Sequence, residues 1–237
     1  MNLSWLEGKK GYLILALTLI LATAGGSWYF LFQGPPNPET LFLEAWQNTM
    51  GAESFAFESS AKLFVDGRDE ELSKVNGRYV KGSLYLKGEI LKTPVELYQV
   101  EGSTYLKEPT GNWLFLEDGK HPHQDFLLSE VNPLSYLVVK DSVQAELLRI
   151  EEHGDTKLYH LSVKPDIDNQ FLEMLYEDFS LELWINKKGR FLDTAILQGK
   201  GKNKPEDLLT LTIVFSDINE PLEVKLPHKL KELNKQR

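Results

Sequence analysis

The sequence predicts a mainly β, α+β domain: a curved antiparallel half-barrel with helices covering its concave face, behind one N-terminal transmembrane helix. Three observations carry that reading. About ten segments alternate apolar and polar residues with a period of two, the mark of half-buried strands. Most are joined by short turns, which suits an antiparallel meander. Helical stretches interrupt them in only three places, so the strand–helix alternation of a doubly wound fold is missing. A sheet this long must curl.

Residues 1–10 form a short cytoplasmic N-terminus in which Lys9 and Lys10 border a charge-free run from Gly11 to Phe32. Its 22 residues, at ~1.5 Å each, span ~33 Å against a hydrocarbon core of ~30 Å. No Lys or Arg follows until Lys62, so the positive-inside rule exports everything after residue 32. A second reading makes Lys9-Lys10, Leu13 to Leu21 and Ala22-Thr23-Ala24 a cleaved signal peptide. The apolar run continues through Trp28-Tyr29-Phe30-Leu31-Phe32, which favours the uncleaved anchor. Either way the expectation is a cell-envelope protein; the uncleaved helix makes it single-pass, with an extracytoplasmic C-terminal domain.

Residues 33–37 are a spacer stiffened by Pro35 and Pro36. A helix starts at Asn37-Pro38-Glu39, with Asn37 as cap and Pro38 in the first turn. Leu41, Phe42, Ala45, Trp46 and Met50 fall on one stripe, and Gly51 ends it. Strand patterns follow at Phe55 to Val65, Val80 to Ile90, Val95 to Val100, Ser103 to Lys107 and Asn112 to Leu116. Asn132-Pro133 opens a short helix with Leu134, Tyr136, Leu137 and Val138. Strands resume at Val143 to Glu151 and Lys157 to Val163. A capped helical stretch, Asp168 to Tyr176, precedes strands at Phe179 to Ile185, Phe191 to Lys200 and Leu208 to Asp217. Gly199-Lys200-Gly201 lies inside a strand pattern and marks a bulge or bend. The domain runs over 38–227, and residues 228–237 read as a basic, frayed tail.

Composition excludes several chemistries. A net charge of −9 argues against nucleic-acid binding. The chain has no cysteine, so disulfides, thiolate sites and an acylated lipoprotein cysteine are ruled out. No G-x-S-x-G elbow, Walker loop, H-E-x-x-H or calcium loop occurs. His121-Pro122-His123 with Asp118 and Asp125 is the best metal candidate, though it reads more simply as a solvated loop. Glu70-Glu71 and Glu151-Glu152 point to opposite faces of their strands, which suits surface better than acid–base chemistry. No cofactor, metal or catalytic group is expected.

What remains is apolar. Phe57, Leu63, Leu84, Leu86, Leu97, Leu106, Trp113, Phe115, Leu147, Leu183 and Leu211 recur across many strands. They either fill a core or line a cavity in the curled sheet, large enough for an acyl chain.

The order of elements resembles the bacterial lipoprotein-carrier superfamily, which includes the Lol carriers and the LppX/LprG-type lipid-binding lipoproteins. The resemblance rests on the exported N-terminus, the helix ending in Glu44-Ala45-Trp46-Gln47-Asn48-Thr49-Met50, and the long strand from Ser54-Phe55-Ala56-Phe57-Glu58. It also rests on the run of strands through Trp113 and the exit Phe215-Ser216-Asp217-Ile218-Asn219-Glu220-Pro221-Leu222-Glu223-Val224-Lys225-Leu226-Pro227. It implies a half-barrel closed by helices and a lipid or acylated protein as partner, with a helix in place of the lipid anchor. The expectation is therefore a membrane-anchored, non-catalytic module binding a lipid or other apolar ligand. The alternative is an interaction or envelope-sensing module of the same fold with a filled core.

Overall fold

Four two-residue turns set the topology of the first half of the chain. Asp66-Gly67, Lys81-Gly82, Leu91-Lys92 and Glu101-Gly102 all have positive φ at both positions, between 47° and 83°. That is the signature of the type I′ turn, whose twist matches the strands it joins. In the computed structural model, which describes residues 36–117, 132–138, 143–154 and 156–235, these turns link β1 (Ser54–Val65), β2 (Arg68–Val80), β3 (Ser83–Ile90), β4 (Thr93–Val100) and β5 (Ser103–Lys107). β6 (Trp113–Glu117) completes the first meander. The second consists of β7 (Gln144–His153), β8 (Thr156–Lys164), β9 (Tyr176–Asn186), β10 (Leu192–Gly201) and β11 (Leu208–Ser216).

The two meanders form one curved antiparallel sheet of 11 strands in the order β6-β5-β4-β3-β2-β1-β11-β10-β9-β8-β7. Its centre is the pairing of the first strand with the last, Phe57 opposite Phe215 and Ala61 opposite Leu211. The mainly β, antiparallel reading stands, with one strand more than the pattern suggested. β2 was hidden because Arg68-Asp69-Glu70-Glu71 is exposed, at an end of the sheet where the β1–β2 hairpin meets water. The pattern from Val80 to Ile90 also spans two strands, because Lys81-Gly82 is a turn.

Among the described residues the ladders shift register in four places, at Ala61/Lys62, Leu192/Thr194, Gln198/Lys200 and Leu147/Arg149, and the first and third bear on the candidate functional site. Ala61 pairs with Ser73 but Lys62 pairs with Glu71, leaving Leu72 as the extra residue. On the other side the β9–β10 register shifts between Gln198 and Lys200, where Asp178 and Phe179 of β9 face Gly199 alone, so the extra residue is on β9 and the glycine-rich stretch lies opposite a bulge instead of carrying it. Bulges bend and twist the strand that carries them, and here they flank the central strands.

Helix α1 (Pro38–Met50) buries Leu41, Phe42 and Ala45 in the core cluster of the sheet. Trp46 and Met50 are only half-buried, packed against that cluster. The residue the apolar stripe missed is Thr49, fully buried. Its hydroxyl donates to the Ala45 carbonyl at 2.7 Å and accepts from the Leu192 N–H at 2.8 Å, tying α1 to the start of β10. The Gly51 N–H donates to Gln47, and a Cβ on Gly51 would lie 2.8 Å from that carbonyl oxygen, so glycine fits the helix end.

A short 3-10 helix (Pro133–Leu137) and α2 (Gln170–Leu175) come later. The expected frayed tail is helix α3 (His228–Lys235), beside β6, with Leu230 buried. Chain contacts make Pro38–Arg237 a unit of its own. Among the described residues no helix is long and apolar enough to cross a membrane; the expected helix 11–32 lies outside them.

Candidate functional site: an apolar cavity under the curved sheet

In an antiparallel ladder, residues directly opposite share a face. Following the pairs outward from β1 places Phe57, Leu63, Leu84, Leu86, Leu97, Leu106, Leu147, Leu183 and Leu211 on one face. That face carries the core. Trp113 and Phe115 lie on the other, in the row Tyr85, Tyr98, Tyr105, Phe115. There Lys107 sits 5.7 Å from the Trp113 ring centre and Phe115 packs 5.2 Å from Tyr105. Burial, with Tyr98 and Glu96 beside it, pushes Tyr85 up to about 12 in the same row. Strand alternation alone could not separate the two rows, because both are apolar.

A cavity of about 280 Å³ opens at the end of the sheet where the Leu72 bulge and the one opposite Gly199 lie. Its sheet wall is Ala61 of β1, Leu72, Ser73 and Val75 of β2, Leu197 of β10, and Leu209 and Leu211 of β11. Ile90 and Leu91 border it at the β3–β4 turn. Pro133 and Tyr136 of the 3-10 helix, Phe171 and Leu172 of α2, and Tyr176 complete it.

Local chemistry holds each wall. Leu72 is the bulged residue, and a bulge re-aims side chains. The 3-10 helix is capped by Asn132, whose Oδ1 accepts from Leu134 N at 3.2 Å. α2 is capped by Asn169, one residue beyond the expected Asp168, through Leu172 N at 3.0 Å. The two segments are joined where Asp168 N donates to Val138 O at 3.0 Å. Gly199 makes room for the aromatic wall: a Cβ there would meet Phe179 at 2.6 Å and the Cβ of Tyr176 at 3.2 Å.

No lining residue bears a charge at neutral pH; the polar side chains are Ser73, Tyr136 and Tyr176. Burial raises the Tyr176 phenol above its ordinary range, and the Asp207 carboxylate adds to the effect, so the ring presents a neutral hydroxyl. Leu91 belongs to the lining and is also 68% exposed, which marks the opening.

Of the residues singled out in the sequence, Leu211 lines this cavity. Phe57, Leu84, Leu86, Leu97 and Leu183 are buried in the core cluster, and Leu106 and Leu147 pack against it. Leu63 is half-buried further along β1. Leu72, Ser73 and Val75 were missed with their strand, and Phe171 and Tyr176 lie on the helical stretch read from the sequence, where nothing singled them out as lining residues. Tyr136 and Leu91 carried no signal of their own.

A second cluster occupies the opposite face. His160, 3% exposed, places Nε2 2.9 Å from Glu182 and Nδ1 3.2 Å from Glu151, and stacks on Trp184 at 4.2 Å. Trp184 Nε1 donates to Glu151 at 3.1 Å, and Arg149 Nε donates to it at 2.6 Å. Desolvation works against ionisation of Glu151, but these donors and Arg149's charge outweigh it and hold its carboxyl below the usual range. Glu152 points the other way, to Lys157, as strand geometry required. Among the described residues no group of three or more His, Asp or Glu is arranged to hold a metal. The segment with His121, His123, Asp118 and Asp125 lies outside them.

No protein-family model and no curated protein matches the chain. Solved structures do. A LolA superfamily protein from Nitrosomonas europaea is 12% identical, with 83% of this chain and 97% of that one covered and a TM-score of 0.31. A domain assigned as an outer membrane lipoprotein-sorting protein, from Vibrio parahaemolyticus, is 7% identical, covering 84% and 97%, at 0.32. MucB, solved in complex with MucA(peri), is 10% identical at 0.39, and this chain spans 61% of its length. The likeness is one of fold, and neither ligand nor partner is taken from it.

Proposed function

We propose that this is a non-catalytic module that binds a lipid or other apolar ligand in the cavity beneath its sheet. The observation that carries the reading is the lining itself: aliphatic and aromatic side chains with three neutral hydroxyls and no charge. Polar catalysis or recognition of a charged group would require fixed, desolvated charges there. Capped helical segments over the curled sheet, with α1 alongside, support the finer description of a half-barrel closed on its concave side.

The charge-free run 11–32 supports anchoring of the module in a membrane, single-pass, with residues 38–227 on the extracytoplasmic side. The ligand then comes from, or goes to, the bilayer or an acylated protein held in it. A second reading, a protein-interaction or sensing surface, is favoured by the exposed Leu148 and Ile150 on β7, the last strand of the sheet.

Native mass spectrometry of the segment beginning at Pro36 tests the binding reading. The expected result is a retained lipid mass that disappears in Leu211→Asp, where an unpaired carboxylate would face the ligand. If the folded wild type neither retains nor takes up lipid of any head-group class, the interaction reading replaces it.

A further inference from the structure

Two hydroxyls in the lining narrow the class of ligand, given that the binding reading holds. Ser73 lies on β2 beside the bulged Leu72, and Tyr176 stands where α2 passes into β9. β1, β11 and β10 separate those strands, so the two residues border the cavity from different sides. Among the described residues neither side-chain hydroxyl has a hydrogen-bond partner. We propose that Ser73 and Tyr176 donate to uncharged oxygen acceptors of the ligand, so that the cavity takes a lipid ester or alcohol in preference to a free carboxylate or an ammonium.

The setting of Tyr176 decides against an anion. Burial first, and the Asp207 carboxylate second, penalise the ionised form of its phenol. The same desolvation and the same negative neighbour oppose an anionic head group brought to that hydroxyl. Asp207 acts through its charge alone; it accepts no hydrogen bond from the phenol, which keeps its proton to donate. Desolvation opposes an ammonium as well, and no carboxylate lines the cavity to offset it. An ester carbonyl or an alcohol oxygen escapes both penalties and needs only a donor. A ligand without an acceptor would leave both hydroxyls unpaired against hydrocarbon, which costs affinity.

The segment from Pro36 suits the test, because its core cluster is drawn wholly from residues between Leu41 and Ile218. Displacement of the uncharged fluorophore N-phenyl-1-naphthylamine, which has no oxygen acceptor, is measured with methyl decanoate, 1-decanol, decanoate and decylammonium. At pH 8 the ester and the alcohol should displace it at concentrations roughly tenfold or more below those of the two ions. From pH 8 to pH 6 the apparent affinity of decanoate should rise about tenfold per unit, because only the neutral acid enters, while that of the ester stays level. Tyr176→Phe and Ser73→Ala should each weaken the ester and the alcohol roughly three- to tenfold, the worth of one neutral hydrogen bond, and leave the fluorophore's own Kd unchanged. Two separate variants keep the result readable if one fails to fold. A decanoate affinity that is flat across that pH range would place the carboxylate in water at the opening and overturn the proposal. So would an ammonium that outcompetes the ester, or an ester indifferent to both hydroxyls. Each of these outcomes leaves apolar binding standing. If neither the fluorophore nor any of the four ligands binds, it is the binding reading that falls.

Discussion

The backbone N–H of Leu91 donates to the carbonyl of Leu72 over 2.7 Å. One is the first residue of a strained turn and the other is the extra residue of a bulge, and both side chains line the cavity. The bond joins the lip of the opening to its wall. Leu91 and Lys92, at φ 48° and 62°, occupy positions that Asn-Gly adopts more readily. The double variant Leu91→Asn, Lys92→Gly should gain ~1 kcal/mol in a urea melt from relieved strain. It should bind N-phenyl-1-naphthylamine several-fold more weakly, because the apolar lip is gone. Unchanged binding in the stabilised variant would show that Leu91 is merely a turn residue.

Gly77 and Phe57 should behave as a coupled pair. Gly77→Ala drives a methyl into the ring and should cost ~1–3 kcal/mol, the usual range for overpacking. Phe57→Leu should recover much of that loss, giving a coupling energy of ~1 kcal/mol or more in a double-mutant cycle. Strictly additive losses would mean that the ring does not rest on the glycine.

The tie between α1 and β10 runs through one hydroxyl. Thr49→Val keeps the shape but leaves the Leu192 N–H without its acceptor, at a cost of ~1–3 kcal/mol. Thr49→Ser should cost less, since the hydroxyl remains. Trp46→Ala, at a half-buried position, should fall below the ~3–5 kcal/mol of a fully buried aromatic. Equal effects of the Val and Ser changes in denaturant melts would remove the hydroxyl from the account.

Glu151 sets a pH dependence whose sign is fixed. Its folded carboxyl titrates below the unfolded one, because the donated hydrogen bonds and the Arg149 charge prevail over desolvation. The stability it contributes is therefore present above the ordinary carboxylate range and is lost as pH falls through the folded value. Urea melts from pH 7 down to pH 3 should show wild type more stable than Glu151→Gln at neutral pH, with the difference closing in acid. A gap that widens on acidification would reverse the assignment.

Topology is tested in intact cells. A C-terminal tag should be digested by external protease while a tag before Met1 stays protected, as Lys9-Lys10 and the run after them require. A protected C-terminal tag in cells of proven surface access would place the domain on the other side. A mature N-terminus at Gly25 would establish cleavage.

By itself the sequence determined what depends on neighbours along the chain. Period-two alternation at Phe55 to Val65 and Leu208 to Asp217, the start at Pro38 and the Asn132-Pro133 turn all came through, because a strand's faces and a helix's cap are decided within a few residues. The glycine stretch at Gly199 marked an irregular place in the ladder, but the extra residue lies across from it on β9, which only the pairing shows. Tertiary structure alone decided which apolar row faces the cavity. Leu86 and Tyr85 are adjacent and both apolar, and only the ladder from β1 to β6 assigns one to the core and the other to the Tyr98 row. It also decided the site. Leu72 sits beside Arg68-Asp69-Glu70-Glu71 in sequence, and it reaches the cavity because pairing with β1 slips by one residue there. That slip, and the meeting of β1 with β11, bring together residues more than a hundred positions apart, which no local pattern can encode.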